Sequence, residues 1–541
     1  MNRVLIFLMA TALCAIGTFA EVKLDAPRRV LELPPGPDNP RNSEGDIIAL
    51  KDGSLLLVYS HYIKGGHGGD HDPAMLASRI SSDGGLTWSK ESVEVVPPNK
   101  NGMNVMSVSL IRLKNGDIAL FYLLKNSETD NRPTMRVSKD EGRSWSEARP
   151  CIPDEPNSYY VLNNCRVERL SSGRLVLPLC WHNTKDGHIA DWAGDLVCYY
   201  SDDDGQSWRR GKECFKTFDP QGRRVTTQEP GVIELKDGRV MMYTRTTHGQ
   251  QWACYSTDGC DTWSRPVPSN IWGPCAPATI KRLSNGDLFL VWNDHEAFPR
   301  ENAAALGWPA GRRVPLTVAV SKDDGKTWSP RKVLEGNPRG WYCYISVLEH
   351  QGNLFLSYCA EKMLCHSRVT IVPVSWLYEP APEIQPGFVE PDANPSVFAG
   401  KPEGGFTELP TGIGVWKAAG GHAALEKFVR GTGVHLLAGE NREVVLELPQ
   451  AADSDRVKLF VERWTSRPPY QLAVEARTRD GEWHPVLAEG PETPVGSLRP
   501  MRFKKLDAPV DAYRFRCTSA AGIMICDREP RRIFFNGYFN D

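Results

Sequence analysis

Charged side chains stand at the ends of apolar, strand-like runs in this chain, where a packed strand would normally place an aliphatic residue. Arg41 in PRNSEGD, Glu229 in TTQEPGVIEL and Arg245 in MMYTRT are the plainest cases. Arg313 in GRRVPLTVAVS, Tyr344 in WYCYISVLEH, and Asp70 and Asp72 in the glycine-rich GGHGGDHDPAMLASR extend the set. Guanidinium forks bind carboxylates bidentately, while carboxyl groups and a phenol can pass protons, so the residue types suit work on an acidic ligand. Choices within the set stay open. Arg312 neighbours Arg313 but faces the other side of a strand, Tyr342 shares a face with Tyr344, and Asp70 shares its loop with Asp72. His67 and His71 are too loosely placed to suggest a metal site, and no cofactor is expected.

These groups can meet only if the elements that carry them converge. Four complete Ser-x-Asp-x-Gly-x-x-Trp boxes run from Ser81, Ser138, Ser201 and Ser321, and a fifth from Ser256 has Cys260 in place of the glycine. The box starts lie 57, 63, 55 and 65 residues apart, the spacing of a repeated structural unit. Each box reads as a tight turn: Asp and Ser bond turn amides, Gly permits positive φ, and Trp packs the turn onto its own sheet. By default every box aspartate is a turn residue.

A second repeat consists of an apolar strand, a Gly turn and another apolar strand, around Gly53, Gly116, Gly173, Gly238, Gly286 and Gly352. Lys-Asp-Gly and Ser-Asn-Gly are hairpin turns. Six hairpins, with a box after each of the first five, predict an all-β chain whose first part, residues 27–379, is a six-bladed β-propeller. A Pro-rich, acidic linker over 380–396 leads to strand-like runs at 397–541, expected to form a small β-sandwich accessory domain.

A formal net charge of -2 gives no global field favouring nucleic acid or an anionic membrane. Residues 1–20, with Arg3, an apolar run and small residues up to Ala20, read as an export signal, which predicts a secreted or periplasmic protein without a stable membrane span. Beyond Cys14 the cysteines number thirteen of the chain's 14, an odd set best read as buried small hydrophobes with a few disulfides, Cys517 and Cys526 being one plausible pair.

On its boxes, its hairpins and the charged strand ends, the propeller resembles the bacterial sialidase (neuraminidase) family, of which it looks like a divergent member. The resemblance implies an exo-acting retaining glycoside hydrolase that releases terminal sialic or related nonulosonic acids, with sialylated or other acidic glycans as partners. It implies Arg41, Arg245 and Arg313 as the carboxylate grip, Tyr344 as nucleophile, Glu229 as its base and Asp72 as acid/base. That chemistry is coherent, because the anomeric carbon of a sialoside already bears a carboxylate. Arginines hold that group, and it would repel an anionic nucleophile, so a neutral phenol is preferred. A phenol titrating near about 10 needs a base to become nucleophilic.

The chain departs from the family's Phe-Arg-Ile-Pro, reading Pro40-Arg41-Asn42-Ser43-Glu44. Glu44 and Asp46 add acid near the grip and are expected to bond sugar hydroxyls or pair with the arginines. Arg166, in NNCRVERL, and Asp70 are further candidates for substrate binding. Two alternatives of other classes remain: a glycan-binding propeller without hydrolysis, and a hydrolase or lyase acting on another acidic polysaccharide.

Overall fold

The computed structural model describes residues 22–152, 159–185, 188–220, 222–295, 313–337, 340–360 and 364–381. In the C-terminal part it describes 408–410, 415–419, 433–436, 442–455, 459–463, 472–487, 498–501, 503–517, 523–526, 532–534 and 538–540. The expected export signal, Arg312 and the linker beyond residue 381 lie outside the described residues.

Six antiparallel units of the expected kind follow one another along the chain. Blade 1 runs Asn42–Ala49, Leu55–Tyr62, Ala74–Ser81 and Val93–Val96. Blade 2 runs Asn104–Arg112, Ile118–Ser127, Asp130–Ser138 and Arg149–Pro150. In blade 3 the innermost position is divided: Tyr159–Val161 and Glu168–Arg169 pair with opposite ends of Leu175–His182, followed by Asp195–Ser201 and Arg209–Phe215. A parallel bridge from Tyr159 to Asn131 joins blades 2 and 3 into one nine-stranded sheet, a fusion that the hairpin pattern does not foretell. Blade 4 comprises Thr227–Glu234, Val240–Thr246, Gln250–Ser256 and Val267–Trp272. Blade 5 comprises Thr279–Arg282, Leu288–Trp292, Leu316–Ser321 and Lys332–Glu335.

Blade 6 closes the ring. Its strands Cys343–His350, Asn353–Ala360 and His366–Pro373 take their outermost partner from the beginning of the propeller, Arg28–Leu33. A chain of ion pairs reinforces that closure. Glu335, at the end of blade 5, accepts from Arg29 at 2.7 Å and from Arg368 at 2.7 Å, and Arg368 reaches Glu32 on the closing strand at 2.7 Å. Tyr358 Oη also donates to Glu335 at 2.5 Å.

The boxes fold as hydrogen-bonded turns. In the first, Ser81 Oγ accepts from Gly85 N at 2.9 Å and donates to Asp83 at 2.9 Å, while Asp83 accepts from Thr87 N at 2.9 Å and Thr87 Oγ1 at 2.6 Å. Ser321, Asp323, Gly325 and Thr327 repeat the pattern in blade 5. The tryptophans, however, pack between blades and not simply on their own sheet. Trp145 joins the apolar cluster shared by blades 1 and 2, and Trp88 joins the one shared by blades 1 and 6. Gly85 has φ +88°, and a Cβ there would lie 2.3 Å from Phe355 of blade 6, so conformation and space both demand glycine. Cys260 keeps the same left-handed turn at φ 80° in the imperfect fifth box. The described propeller cysteines, from Cys151 to Cys365, are unbridged and mostly buried, as small hydrophobes would be, so a disulfide expectation has no support among them.

The C-terminal part forms a six-stranded sheet ordered Glu408–Pro410, Val415–Ala419, Arg442–Ala452, Val510–Cys517, Leu472–Thr478, Trp483–Pro485. A second sheet of four strands accompanies it, and the side chains of Cys517 and Cys526 lie outside what is described. Val444, Leu446, Val474, Ala476, Tyr513 and Phe515 are buried in its core, giving the small sandwich expected after the propeller.

Removing Glu335 from the ring-closing ion cluster should be strongly destabilising, because it is the buried carboxylate that both Arg29 and Arg368 meet, and Arg368 keeps the more exposed Glu32 without it. Glu335→Gln is expected to lower propeller stability by about 3–5 kcal/mol. Denaturant unfolding followed by tryptophan fluorescence measures this; a loss below about 1 kcal/mol, the level of exposed pairs, would show that the cluster does not hold the ring shut.

Candidate active site

Four of the inner strands break their ladder at the same place. Register shifts fall between Ser43 and Asp46, Met106 and Ser109, Gln228 and Gly231, and Cys343 and Ser346. Each shift carries one non-glycine residue in the left-handed region: Glu44 at φ 49°, Ser107 at 61°, Glu229 at 50° and Tyr344 at 58°. Every one lies six positions before the residue that opens its hairpin turn, namely Leu50, Leu113, Leu235 and His350. A bulge re-aims a side chain that a regular strand would send into the sheet packing. All four bulge residues line a single pocket of about 650 Å³, counting the space at its open mouth.

Within that pocket, Tyr344 Oη donates to Glu229 Oε1 at 3.3 Å. Arg245 backs the glutamate, with Nη1 3.0 Å from Glu229 Oε2, and also donates to Gln228 Oε1. Arg313 is not among the lining residues; it lies behind Tyr344, its guanidinium 5.4 Å from that ring and 5.6 Å from Trp341, and donates to Cys275 O at 3.3 Å. Burial and the neighbouring Glu229 push the Tyr344 phenol well above its usual value, so it rests as a neutral donor to the carboxylate. Tyr342, its rival on the same face, belongs to the apolar core of blades 5 and 6 instead.

Arg41 stands behind the opposite wall, where Glu44 and Asp70 line the pocket. It meets Asp70 at 2.5 Å and Glu44 at 3.4 Å, donates to Ser43 Oγ at 3.0 Å, and lies 4.6 Å over the Tyr62 ring. The two carboxyls on this one guanidinium are pushed apart. Burial, and the negative charges of Asp70 and Glu229, raise Glu44 to about 7. Burial acts the same way on Asp70, but Arg41 and Lys125 outweigh it and hold Asp70 at about 2. Near neutrality Asp70 is therefore ionised and Glu44 about half protonated, so the proton the pair can hold resides on Glu44.

Three expected site residues are placed elsewhere. Asp72 turns its carboxylate into its own loop, accepting from His67 N and Gly69 N at 2.7 Å each; it caps a turn, whereas Asp70 enters the pocket. Arg166 spends its guanidinium between blades, on Ala278 O at 2.6 Å and Tyr243 Oη at 3.3 Å. Asp46 accepts from the backbone of Leu110 at 2.8 Å and of Ile47 at 2.9 Å, tying blade 1 to blade 2. Buried backbone amides and an inter-blade seam need partners, and these polar groups supply them. In the other direction, the sequence reading missed Lys125, Asn131, Tyr159, His182 and Trp192, which form the wall from blades 2 and 3. Lys125 ends the apolar strand IALFYLLKNS and meets the criterion that picked out Arg245; the aromatic residues carry no such signal. Among the described residues, no group of three or more His, Cys, Asp or Glu side chains is arranged to hold a metal ion, and no helix is long and apolar enough to cross a membrane.

A propeller of Asp-box blades with a polar, arginine-bearing pocket built on its inner strands defines the class of protein. The family model described as a BNR repeat-like domain matches residues 82–356, just over half of the chain, and the chain belongs to that family. It is similar to a sialidase of Micromonospora viridifaciens, at 24% identity over 327 residues covering 54% of this chain and 44% of that protein. It is also similar to a sialidase of Bacteroides fragilis (strain YCH46), at 24% identity over 347 residues covering 56% of this chain and 57% of that protein. The chain thus spans about half the length of the curated relatives it matches. Among solved structures, a protein of unknown function from Dyadobacter fermentans DSM 18053 superposes with TM-score 0.50 at 17% identity, over 65% of this chain and 100% of that one. That likeness concerns the fold alone.

The raised Glu44 makes stability depend on pH in a definite direction. Its folded-state value of about 7 exceeds the ordinary 4.5, so its contribution is fully present below pH 4.5 and is lost as pH rises towards 7. Glu44→Gln has no such proton to lose. Unfolding free energies of both proteins at pH 4.5 and pH 7.5 should therefore show the wild type losing ground to the variant across that interval. Parallel curves would mean that Glu44 is ionised in the folded protein at neutral pH.

Proposed function

We propose that the protein is an exo-acting, retaining, sialidase-like glycoside hydrolase that removes a terminal sialic or related nonulosonic acid from acidic glycans. The observation that carries this reading is the Tyr344–Glu229–Arg245 chain, with Arg313 lying over the phenol ring. A phenol hydrogen-bonded to a carboxylate and flanked by guanidiniums suits attack on an anomeric carbon that itself bears a carboxylate. In the first step Tyr344 Oη bonds to that carbon as Glu229 takes the phenolic proton, and the bond to the aglycone oxygen breaks. The leaving oxygen takes the proton held by the carboxyl pair on Arg41, delivered by Asp70 with Glu44 as its reservoir. In the second step the ionised pair accepts a proton from water, water displaces the tyrosine, and Glu229 returns the phenolic proton. Two inversions give net retention.

The carboxylate grip in this reading is led by Arg245, which lines the pocket, with Arg41 behind Glu44 and Asp70 and Arg313 behind the Tyr344 ring. The acid role moves from Asp72 to Asp70, whose carboxylate lines the pocket. An exported location, with the expected signal at 1–20 removed, would bring such an enzyme to glycans outside the cytoplasm.

Incubation with a panel of α-linked nonulosonic acids and uronides, with mass identification of the released sugar, tests the substrate class. Release of a nonulosonic acid is expected; release of uronide alone, or binding without release, would overturn the reading. Tyr344→Phe should reduce kcat by at least about a thousandfold while substrate binding stays measurable, since the guanidiniums remain. Wild-type kcat in that variant would remove Tyr344 from the chemistry. Arg313→Ala should cost carboxylate-bearing glycosides about 1.5–3 kcal/mol more transition-state stabilisation than an amide-masked analogue. Equal losses on the two substrates would make Arg313 a support for the Tyr344 ring only.

A further inference from the structure

The loop that delivers Asp70 is fixed from the neighbouring blade. Its glycines suggest a segment free to swing, yet both ends of its acidic stretch are held. Asn104 Nδ2 donates to Asp70 O at 2.9 Å and to Asp72 O at 2.9 Å, and Lys125 Nζ donates to Asp70 O at 2.7 Å. Asn104 and Lys125 are direct cross-strand partners in blade 2, so both donors come from one rung of one ladder. Both side chains are almost wholly buried, Asn104 at 0% and Lys125 at 3% exposure.

Burying an ammonium is unfavourable unless it is paired, and this ammonium spends its donors on a loop carbonyl and the Met106 sulfur, facing the Tyr159 ring at 5.9 Å. A role in the apolar core would be served better by an aliphatic side chain. The loop completes the arrangement from its own side: Asp72 ties His67 N and Gly69 N together, and Asp72 N donates to Gly69 O at 3.0 Å. With its backbone fixed in this way, Asp70 has its carboxylate at Arg41 and within the pocket.

We infer that Asn104 and Lys125 form an inter-blade clamp that positions Asp70 for proton transfer to the leaving group. They are positioning residues: they act through the backbone of residues 70–72, and Lys125 also adds a cation that stabilises the Asp70 carboxylate left once the proton has gone to the leaving group. This deepens the proposed hydrolase reading and rests on it for the catalytic part. The clamp itself is a statement about loop order, and can be tested without turnover.

The experiment uses the full chain with Asn104→Ala, Lys125→Met and Lys125→Arg, each first checked for an unchanged unfolding midpoint. Amide hydrogen exchange in the peptide covering residues 63–73 should be faster by about tenfold or more in Asn104→Ala and Lys125→Met, with Lys125→Arg close to wild type. Unchanged exchange in both loosened variants would overturn the clamp. Kinetics on a natural glycoside and on a nitrophenyl glycoside of the same sugar then separate positioning from general structural damage. In the loosened variants kcat on the natural glycoside should fall by about tenfold or more while the activated substrate loses less than about threefold, with KM little changed on either. Equal losses on both substrates would refute a role through the acid. If the wild type cleaves no sugar in the panel, the hydrolase reading fails, and the exchange data alone decide whether the clamp exists. Should Lys125→Met fail the folding check, Asn104→Ala and Lys125→Arg carry the test.

Discussion

The reacting groups of the pocket depend on one backbone constraint, repeated at the same position of four inner strands. An inner propeller strand is packed on both sides by its neighbours, so a regular strand could offer the axis only small or apolar side chains. The left-handed residue at the bulge breaks that alternation and turns one side chain into the pocket. Glu44, Ser107, Glu229 and Tyr344 all arrive by this route. Left-handed conformations of non-glycine residues cost on the order of 1–3 kcal/mol each and persist only where surrounding structure enforces them. Here the hairpins, the box turns and the inter-blade hydrogen bonds provide that enforcement. Asn164 shows the tightness of the centre, donating to Gly45 O of blade 1 and Tyr344 O of blade 6 at 2.9 Å each.

The architecture was largely legible in the chain because it is repetitive. Box and hairpin spacing determine six blades, and the first box's turn chemistry is visible in its residue types. Arg41, Glu229, Arg245, Arg313 and Tyr344 could be singled out because each is polar where a strand end should be apolar. The illegible parts depend on register and on contacts between blades. No local pattern says that Asp70 faces the pocket while Asp72 folds back onto amides, since both lie in one glycine-rich loop. Arg166 is a further candidate from the sequence, yet the seam between blades 3, 4 and 5 takes its guanidinium. The closing strand Arg28–Leu33 carries neither box nor hairpin, so its place in blade 6 follows only from ring closure.

The electrostatics of the pocket follow from which cations are already occupied. Arg41 is balanced by Asp70 and Glu44, and Arg245 by Glu229, and Arg313 lies over the Tyr344 ring while donating to a backbone carbonyl. An arriving carboxylate would meet Arg245 at the pocket wall. Its charge would also favour protonation of Asp70 and Glu44, moving the acid towards the form in which it can donate.

The central claim is that Tyr344 becomes covalently bonded to the sugar. Its most direct measurement is mass spectrometry of the protein acid-quenched during turnover of a nonulosonic-acid glycoside with a fast-departing aryl group. A single sugar adduct should map to the peptide containing Tyr344, and be absent in Glu229→Gln, where the phenol keeps its proton. An adduct on another residue, or rapid turnover with an inverted product and no adduct, would contradict the account.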